Sequence, residues 1–247
     1  MAKYDLSFHP PVMNAAGMLG FAPDLRRPVD WSSLGAFVTN PISLSRRTPA
    51  QERSCLDFPG GFLLHTGYPN PGFRAALRRY AARWGRSTLP VIVHLLAQGS
   101  AEISSFVQAL ERVEGVAGVE LGLPPEVEKD AALDWLRLAS GELATIVRVP
   151  LERALELAPA LVEAGAAAVS LGARRGALPN PAGRLVEGRL YGPGIYPTAL
   201  HTVHRLSRLS IPVIGAGGIY SQTQANAMLE AGAMAVQLDS VLWRGGY

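Results

Sequence analysis

Apolar and polar positions along the chain fall into two alternating rhythms. Short apolar runs at 11–15, 35–39, 90–96, 116–121, 143–149, 166–171, 211–215 and 234–238 have the length and composition of strands buried on both faces. Between them, 73–84, 103–113, 131–138, 153–163, 199–209 and 222–230 repeat their apolar residues at helical spacing. Strands alternating with helices imply a parallel sheet, and eight of them imply closure into an α/β fold of the (β/α)8, or TIM, type, with 1–247 as a single domain. An open doubly wound sheet is the competing arrangement, but it rarely needs so many equivalent units.

Two connections break the rhythm. Roughly fifty residues separate the second and third strands and carry Pro49, Pro59, Gly60, Gly61, Gly67, Pro69, Pro71 and Gly72, which predicts a long loop or cap over the barrel mouth. A second excursion, 184–197, follows the sixth strand. The sequence gives out at Tyr247, a few residues past the eighth strand, so the last helix is expected to be short or absent.

The segment Ile211-Pro-Val-Ile-Gly-Ala-Gly-Gly-Ile-Tyr220 reads as a strand running into a glycine turn. Gly217 and Gly218 free backbone amides to point outward, as in a phosphate nest at the gripping end of a barrel. Ser221 is placed to cap the next helix and Gly232 to end it. The plainer alternative is a tight strand-to-helix turn with no ligand.

Composition narrows the function classes. No arginine-led apolar leader and no apolar stretch of about 18 residues is present, so neither export nor a membrane span is expected, and a cytoplasmic location follows by default. A net charge of +3 with scattered basic residues does not suggest nucleic acid. Only Lys3 and Lys129 are lysine; the other 21 of 23 basic residues are arginine, which cannot form a Schiff base. Cys55 stands alone, with no sign of activation. Of the histidines only His201 and His204 are close in sequence, and their helix lies outside the barrel, so no metal is expected.

Barrel chemistry collects at the carboxyl ends of strands, where the candidates are Asn14, Thr39, Asn40, His94, Glu120, Arg148, Ser170 and the Asp239-Ser240 turn. His94 and Glu120 follow neighbouring strands and suit an acid–base pair; the alternative is that Glu120 is tied to an arginine or an amide and His94 only packs beside a ligand. Arg148 ends an apolar strand, facing either a bound anion in the mouth or a salt bridge at the rim.

Taken in order, Pro11-Val-Met-Asn-Ala-Ala-Gly17, Gly35-Ala-Phe-Val-Thr39, Gly67-Tyr-Pro-Asn-Pro-Gly72, Pro90-Val-Ile-Val93, Gly118-Val-Glu-Leu121, Leu190-Tyr-Gly-Pro-Gly-Ile-Tyr-Pro-Thr-Ala-Leu200, 211–219 and Ala231-Gly-Ala-Met-Ala-Val-Gln-Leu238 resemble the FMN-dependent dihydroorotate dehydrogenases, the soluble branch above all. The resemblance implies FMN as cofactor, with Ala15, Ala16 and Gly17 along the flavin ring. Gly192, Ala216, Gly217, Gly218 and the backbone of Asp239 and Ser240 would meet its ribityl and phosphate groups, with Thr39, Asn40, Arg148, Val169 and Ser170 completing the set. A homodimer is implied by the same analogy.

The departures fall on the family's substrate residues. Asn40 stands where the family has a lysine, and Leu64 where it has an asparagine. Gly122-Leu-Pro-Pro-Glu-Val127 replaces a cluster of Asn, Ser, Cys, Pro and Asn that includes the catalytic cysteine. Ser170-Leu-Gly-Ala173 replaces an asparagine stretch, and Arg148 replaces a lysine with charge kept. Glu126 or Cys55 would have to serve as base for dihydroorotate. A carboxylate at Asp239 beside a phosphate is repulsive unless its side chain turns away. The expectation is an FMN-binding oxidoreductase that does not use dihydroorotate efficiently, with His94 and Arg148 as its catalytic candidates and an unknown small-molecule substrate. The alternatives are a silent flavin- or phosphate-binding subunit or sensor, and a phosphosugar isomerase or lyase barrel.

Overall fold

The computed structural model describes residues 6–52, 54–96, 99 and 103–244; Lys3 lies outside them. The described residues form the strands β1 Val12–Asn14, β2 Phe37–Val38, β3 Ser54–Phe58, β4 Gly61–His65, β5 Val91–Leu96, β6 Val116–Gly122, β7 Ala144–Val149, β8 Ala168–Leu171, β9 Arg175–Pro179, β10 Leu185–Tyr191, β11 Val213–Ala216 and β12 Ala235–Leu238. The helices are α1 Phe73–Trp84, α2 Ile103–Leu110, α3 Lys129–Ala139, α4 Ala154–Glu163, α5 Tyr196–Ser207 and α6 Gln222–Glu230. Ser221 caps α6 as expected, its side chain accepting from the Gln224 amide.

Eight strands form one parallel sheet in the order β1-β12-β11-β8-β7-β6-β5-β2. A parallel bridge between Met13 and Ala36 brings the two ends together, giving the nearly closed barrel that the alternation of apolar runs predicts. The seam is then zipped by a side chain. Asn14 donates from Nδ2 to the Val38 carbonyl at 2.6 Å and accepts the Val38 amide on Oδ1 at 3.0 Å, so its carboxamide replaces a missing peptide rung.

Strand alternation sorts the core into two shells. Met13, Ala36, Val38, Ile92, Ile146, Ala168, Ile214 and Ala235 fill the barrel interior, while Phe37, Trp84, Val93, Phe106, Val119, Leu136, Val147, Val203 and Met228 belong to the apolar shell between barrel and helices. Toward the carboxyl ends the interior turns polar, with His94, Glu120, Ser170 and Gln237 all buried.

The two irregular connections are not slack. The long loop expected after the second strand contains the hairpin β3–β4, and the excursion expected at 184–197 contains β10, whose hairpin partner β9 lies before it at Arg175–Pro179. They join as one antiparallel sheet, β3-β4-β10-β9. Its strands carry polar and small residues such as Ser54, Asp57, Glu187 and Gly188, so they lack the apolar runs that reveal the barrel strands. Past β12 the described chain continues as a 3-10 helix, Ser240–Arg244. No helix among the described residues is long and apolar enough to cross a membrane.

Replacing Asn14 with Ala leaves the buried Val38 amide and carbonyl without partners. We expect a loss of about 2–4 kcal/mol in urea unfolding, at a cost of roughly 1–3 kcal/mol for each orphaned group. A loss below about 0.5 kcal/mol would show that the seam does not need this side chain.

Candidate functional site

The polar layer centres on Glu120, which projects into the barrel from β6 and is fully buried. His94 Nδ1 on β5 lies 2.6 Å from its Oε2. The Ser170 hydroxyl on β8 and the Gln237 amide on β12 donate to Oε1 at 2.6 and 2.7 Å. Arg148 on β7 donates from Nη1 to Gln237 Oε1 at 2.9 Å and stands 3.7 Å from Glu120 Oε2. Burial by itself would raise the carboxyl pKa. The His94 hydrogen bond, the charges of Arg148 and His94 and the Ser170 hydroxyl overturn it and hold the group at about 2, so Glu120 is an anion at neutral pH.

This anion orients His94. With Nδ1 on the carboxylate, Nε2 lies over Gly122, where a Cβ would come within 2.6 Å of it. The glycine therefore makes the space that the imidazole occupies. His94 also lines a cavity of about 420 Å³ with Arg47, Tyr68, Arg148, Arg175 and Arg189, walled by Gly122 to Pro125 and by Gly172 and Ala173.

The cavity is strongly cationic, and among the described residues no carboxylate lines it. Arg175 and Arg189 stand directly opposite on β9 and β10, a pairing of like charges that destabilises a sheet unless an anion joins them. Buried Arg189 is held by the Tyr191 and Thr66 hydroxyls at 3.1 Å each, with its guanidinium 3.8 Å above the Tyr68 ring. Among the described residues, Arg148 alone of the four arginines has a carboxylate within salt-bridge distance, namely Glu120. Sequence reasoning missed Arg47, Tyr68, Arg175, Arg189 and Gln237. Gln237 was recoverable, being two residues beyond inward-facing Ala235 on β12; the others sit in the hairpins and connections whose placement the pattern did not give.

Other candidates have structural duties. The Thr39 hydroxyl accepts the His94 amide at 3.0 Å. Asn40 closes a loop, exchanging hydrogen bonds with Gly20 through its backbone N–H and its side chain. Ala15, Ala16, Val169, Gly192 and Ala216 are buried, and Gly17 and Gly217 are partly exposed. Cys55 is exposed on β3, its thiol pushed up by burial and by Asp57, and Glu126 is exposed; neither lines the arginine cavity. His201 and His204 are exposed on α5.

The glycine turn after β11 faces the end of β12. The Asp239 side chain does not turn away: its Oδ2 accepts the Gly218 amide at 3.3 Å, and its Oδ1 accepts the Ser240 amide at 2.6 Å and hydroxyl at 3.1 Å. Burial raises its pKa, against the lowering effect of these donors.

The dihydroorotate dehydrogenase family model matches residues 177–247. The catalytic subunit of dihydroorotate dehydrogenase B (NAD(+)) from Pelobacter propionicus is 31% identical over 95% of this chain and 84% of its own length. The chain belongs to the dihydroorotate dehydrogenase family. The subunit of the same name from Geotalea daltonii is also 31% identical, over 97% of this chain and 88% of its own length, and that from Pyrococcus furiosus is 27% identical over 99% and 87%.

Members of the dihydroorotate dehydrogenase family are oxidoreductases that bind FMN. The residues at the mouth of this chain do not fit the phosphate of that cofactor. Of the turn's donors, the Gly218 and Ser240 amides are already satisfied by a carboxylate in the same place.

Glu120 also fixes a pH dependence. Its pKa falls from 4.5 to about 2 on folding, so the folded state binds the proton less readily. Its contribution to stability is fully present above about 4.5 and is lost as pH falls through about 2. Glu120→Gln should be less stable at neutral pH and show a flatter loss of stability in acid, read by denaturant unfolding at a series of pH values; parallel curves for the two proteins would contradict the assignment.

Proposed function

We propose that this chain is a flavin-linked oxidoreductase of the dihydroorotate dehydrogenase family whose substrate is an organic anion other than dihydroorotate. The observation that carries the reading is the His94–Glu120–Arg148 arrangement opening into a cavity lined by arginine. Family membership supplies the expectation of a flavin ring as hydride acceptor. The chain's own residues supply the rest: Arg148, Arg175 and Arg189 hold an anion, and His94, oriented through Nδ1, presents Nε2 to take or give a proton. The missing cysteine, lysine and asparagines argue against dihydroorotate, since Cys55 and Glu126 both lie away from the cavity.

A catalytically silent ligand-binding barrel, acting as a subunit or sensor, is the second reading. The closure of the phosphate turn by Asp239 favours it. The phosphosugar isomerase or lyase loses its main support by the same contact, because that turn was the feature that suggested it. The relatives' designation as catalytic subunits supports an assembly with a companion chain, beside the homodimer implied by resemblance, and a cytoplasmic location remains part of the proposal.

Purified protein loaded with a flavin and mixed anaerobically with dihydroorotate should keep its oxidised visible spectrum. It should bleach with some member of a panel of small carboxylic acids carrying an oxidisable C–H bond. His94→Gln should slow that bleaching by at least tenfold, the lower range for a lost general acid or base being about a hundredfold. Bleaching by dihydroorotate would overturn the substrate reading, and no bleaching by any donor would leave the silent barrel.

A further inference from the structure

The glycine turn after β11 and the end of β12 together direct backbone amides at one carboxylate, Asp239. Gly218 has φ +70°, and a Cβ there would come within 2.6 Å of the Tyr196 nitrogen and 2.7 Å of the Gly192 oxygen, so the turn's shape depends on glycine. Its amide points at Asp239 Oδ2. The Ser240 amide and hydroxyl both point at Oδ1, and the Tyr220 hydroxyl, 2.7 Å from Ser240 Oγ, holds that group in place. Donors from two strand ends thus converge on one buried carboxylate, in the manner of backbone nests that grip phosphate.

We infer that Asp239 is a built-in anion filling this turn, so that the flavin taken by this barrel is one without a terminal phosphate: riboflavin rather than FMN. The inference rests on the flavin reading above and narrows it. A phosphate entering here would bring about two negative charges against a third already in contact with the same donors. Arg148 is near enough for its charge to favour the Asp239 anion, but it is engaged with Gln237 and Glu120 and makes no hydrogen bond to Asp239, so it is not free to take up a further anion there. The side chain is also held inside, since Asp239, the residue just past the end of β12, is only 5% exposed. A free ribityl hydroxyl has the opposite character. It donates a hydrogen bond, and a carboxylate only accepts, so Asp239 suits the alcohol and rejects the phosphate ester.

The test is titration of the full-length protein, stripped of any ligand, with riboflavin and with FMN, followed by quenching of flavin fluorescence. The wild type should bind riboflavin at least as tightly as FMN. Asp239→Gly should gain at least tenfold in FMN affinity and stay within about threefold for riboflavin. Asp239→Asn keeps the shape without the charge, should gain less, and serves if the glycine variant fails to fold. FMN bound tenfold more tightly than riboflavin by the wild type overturns the inference, as does an unchanged FMN affinity in both variants. If neither protein takes up either flavin, the flavin reading fails and so does the choice of riboflavin. Inorganic phosphate then decides the role of the carboxylate: stabilisation of a variant but not of the wild type by phosphate in thermal unfolding retains Asp239 as the group that fills the turn, and its absence overturns that as well.

Discussion

One buried carboxylate organises the mouth of this barrel. Glu120 lies on the axis, and burying its charge is expensive unless donors surround it. Its partners come from four other strands: His94 from β5, Arg148 from β7, Ser170 from β8 and Gln237 from β12. The charge therefore ties together strands far apart in sequence and fixes three directions at once. It turns Nε2 of His94 outward, sets the amide of Gln237 so that its oxygen meets Arg148, and draws the guanidinium to the cavity wall. Removing any one donor disturbs the others, since the hydrogen bonds share acceptors and polarise one another.

Around this centre the mouth is divided by sign. On the side of β11 and β12, Asp239 occupies the glycine turn. Toward the β9–β10 hairpin four arginines face a cavity that no carboxylate among the described residues lines. The two halves make different demands on a ligand. The first accepts a neutral hydrogen-bond donor, and the second needs negative charge. The proposed anionic substrate, together with a flavin whose tail is uncharged, would meet both demands.

The barrel was legible because parallel strands covered on both faces must be apolar along their whole length, so each of the eight appears as a run. The Ser221 cap was legible because capping is local chemistry. The second sheet was not. Its strands sit over the mouth with polar and apolar residues mixed, as in Leu185–Tyr191, and their pairing joins two connections more than a hundred residues apart. The site was legible in part. Position at a strand end identified His94, Glu120 and Arg148, but the cross-strand pairing of Arg175 and Arg189 depends on hairpin register. Asn40 and Thr39 were placed correctly at a strand end, yet their side chains serve a loop and a backbone amide. A strand-end position says where a side chain begins and leaves its partner unstated.

The departures from the family pattern bear on whether the site has decayed or been rebuilt. Decay by unlinked substitution leaves buried polar atoms without partners, since each replacement removes half of an existing pair. Among the described residues the one such side-chain atom is Trp31 Nε1, in the 3-10 helix before β2 and outside the cavity lining. The replacements at the mouth instead fit one another. Gly122, where the resemblance implies an asparagine, clears the space that the His94 ring fills, and Arg148, where it implies a lysine, reaches both Gln237 and Glu120. Asp239 satisfies donors that would otherwise be left to a ligand. That completeness is what the proposed change of ligand requires, since a site in decay is expected to leave some of these buried polar atoms unpaired.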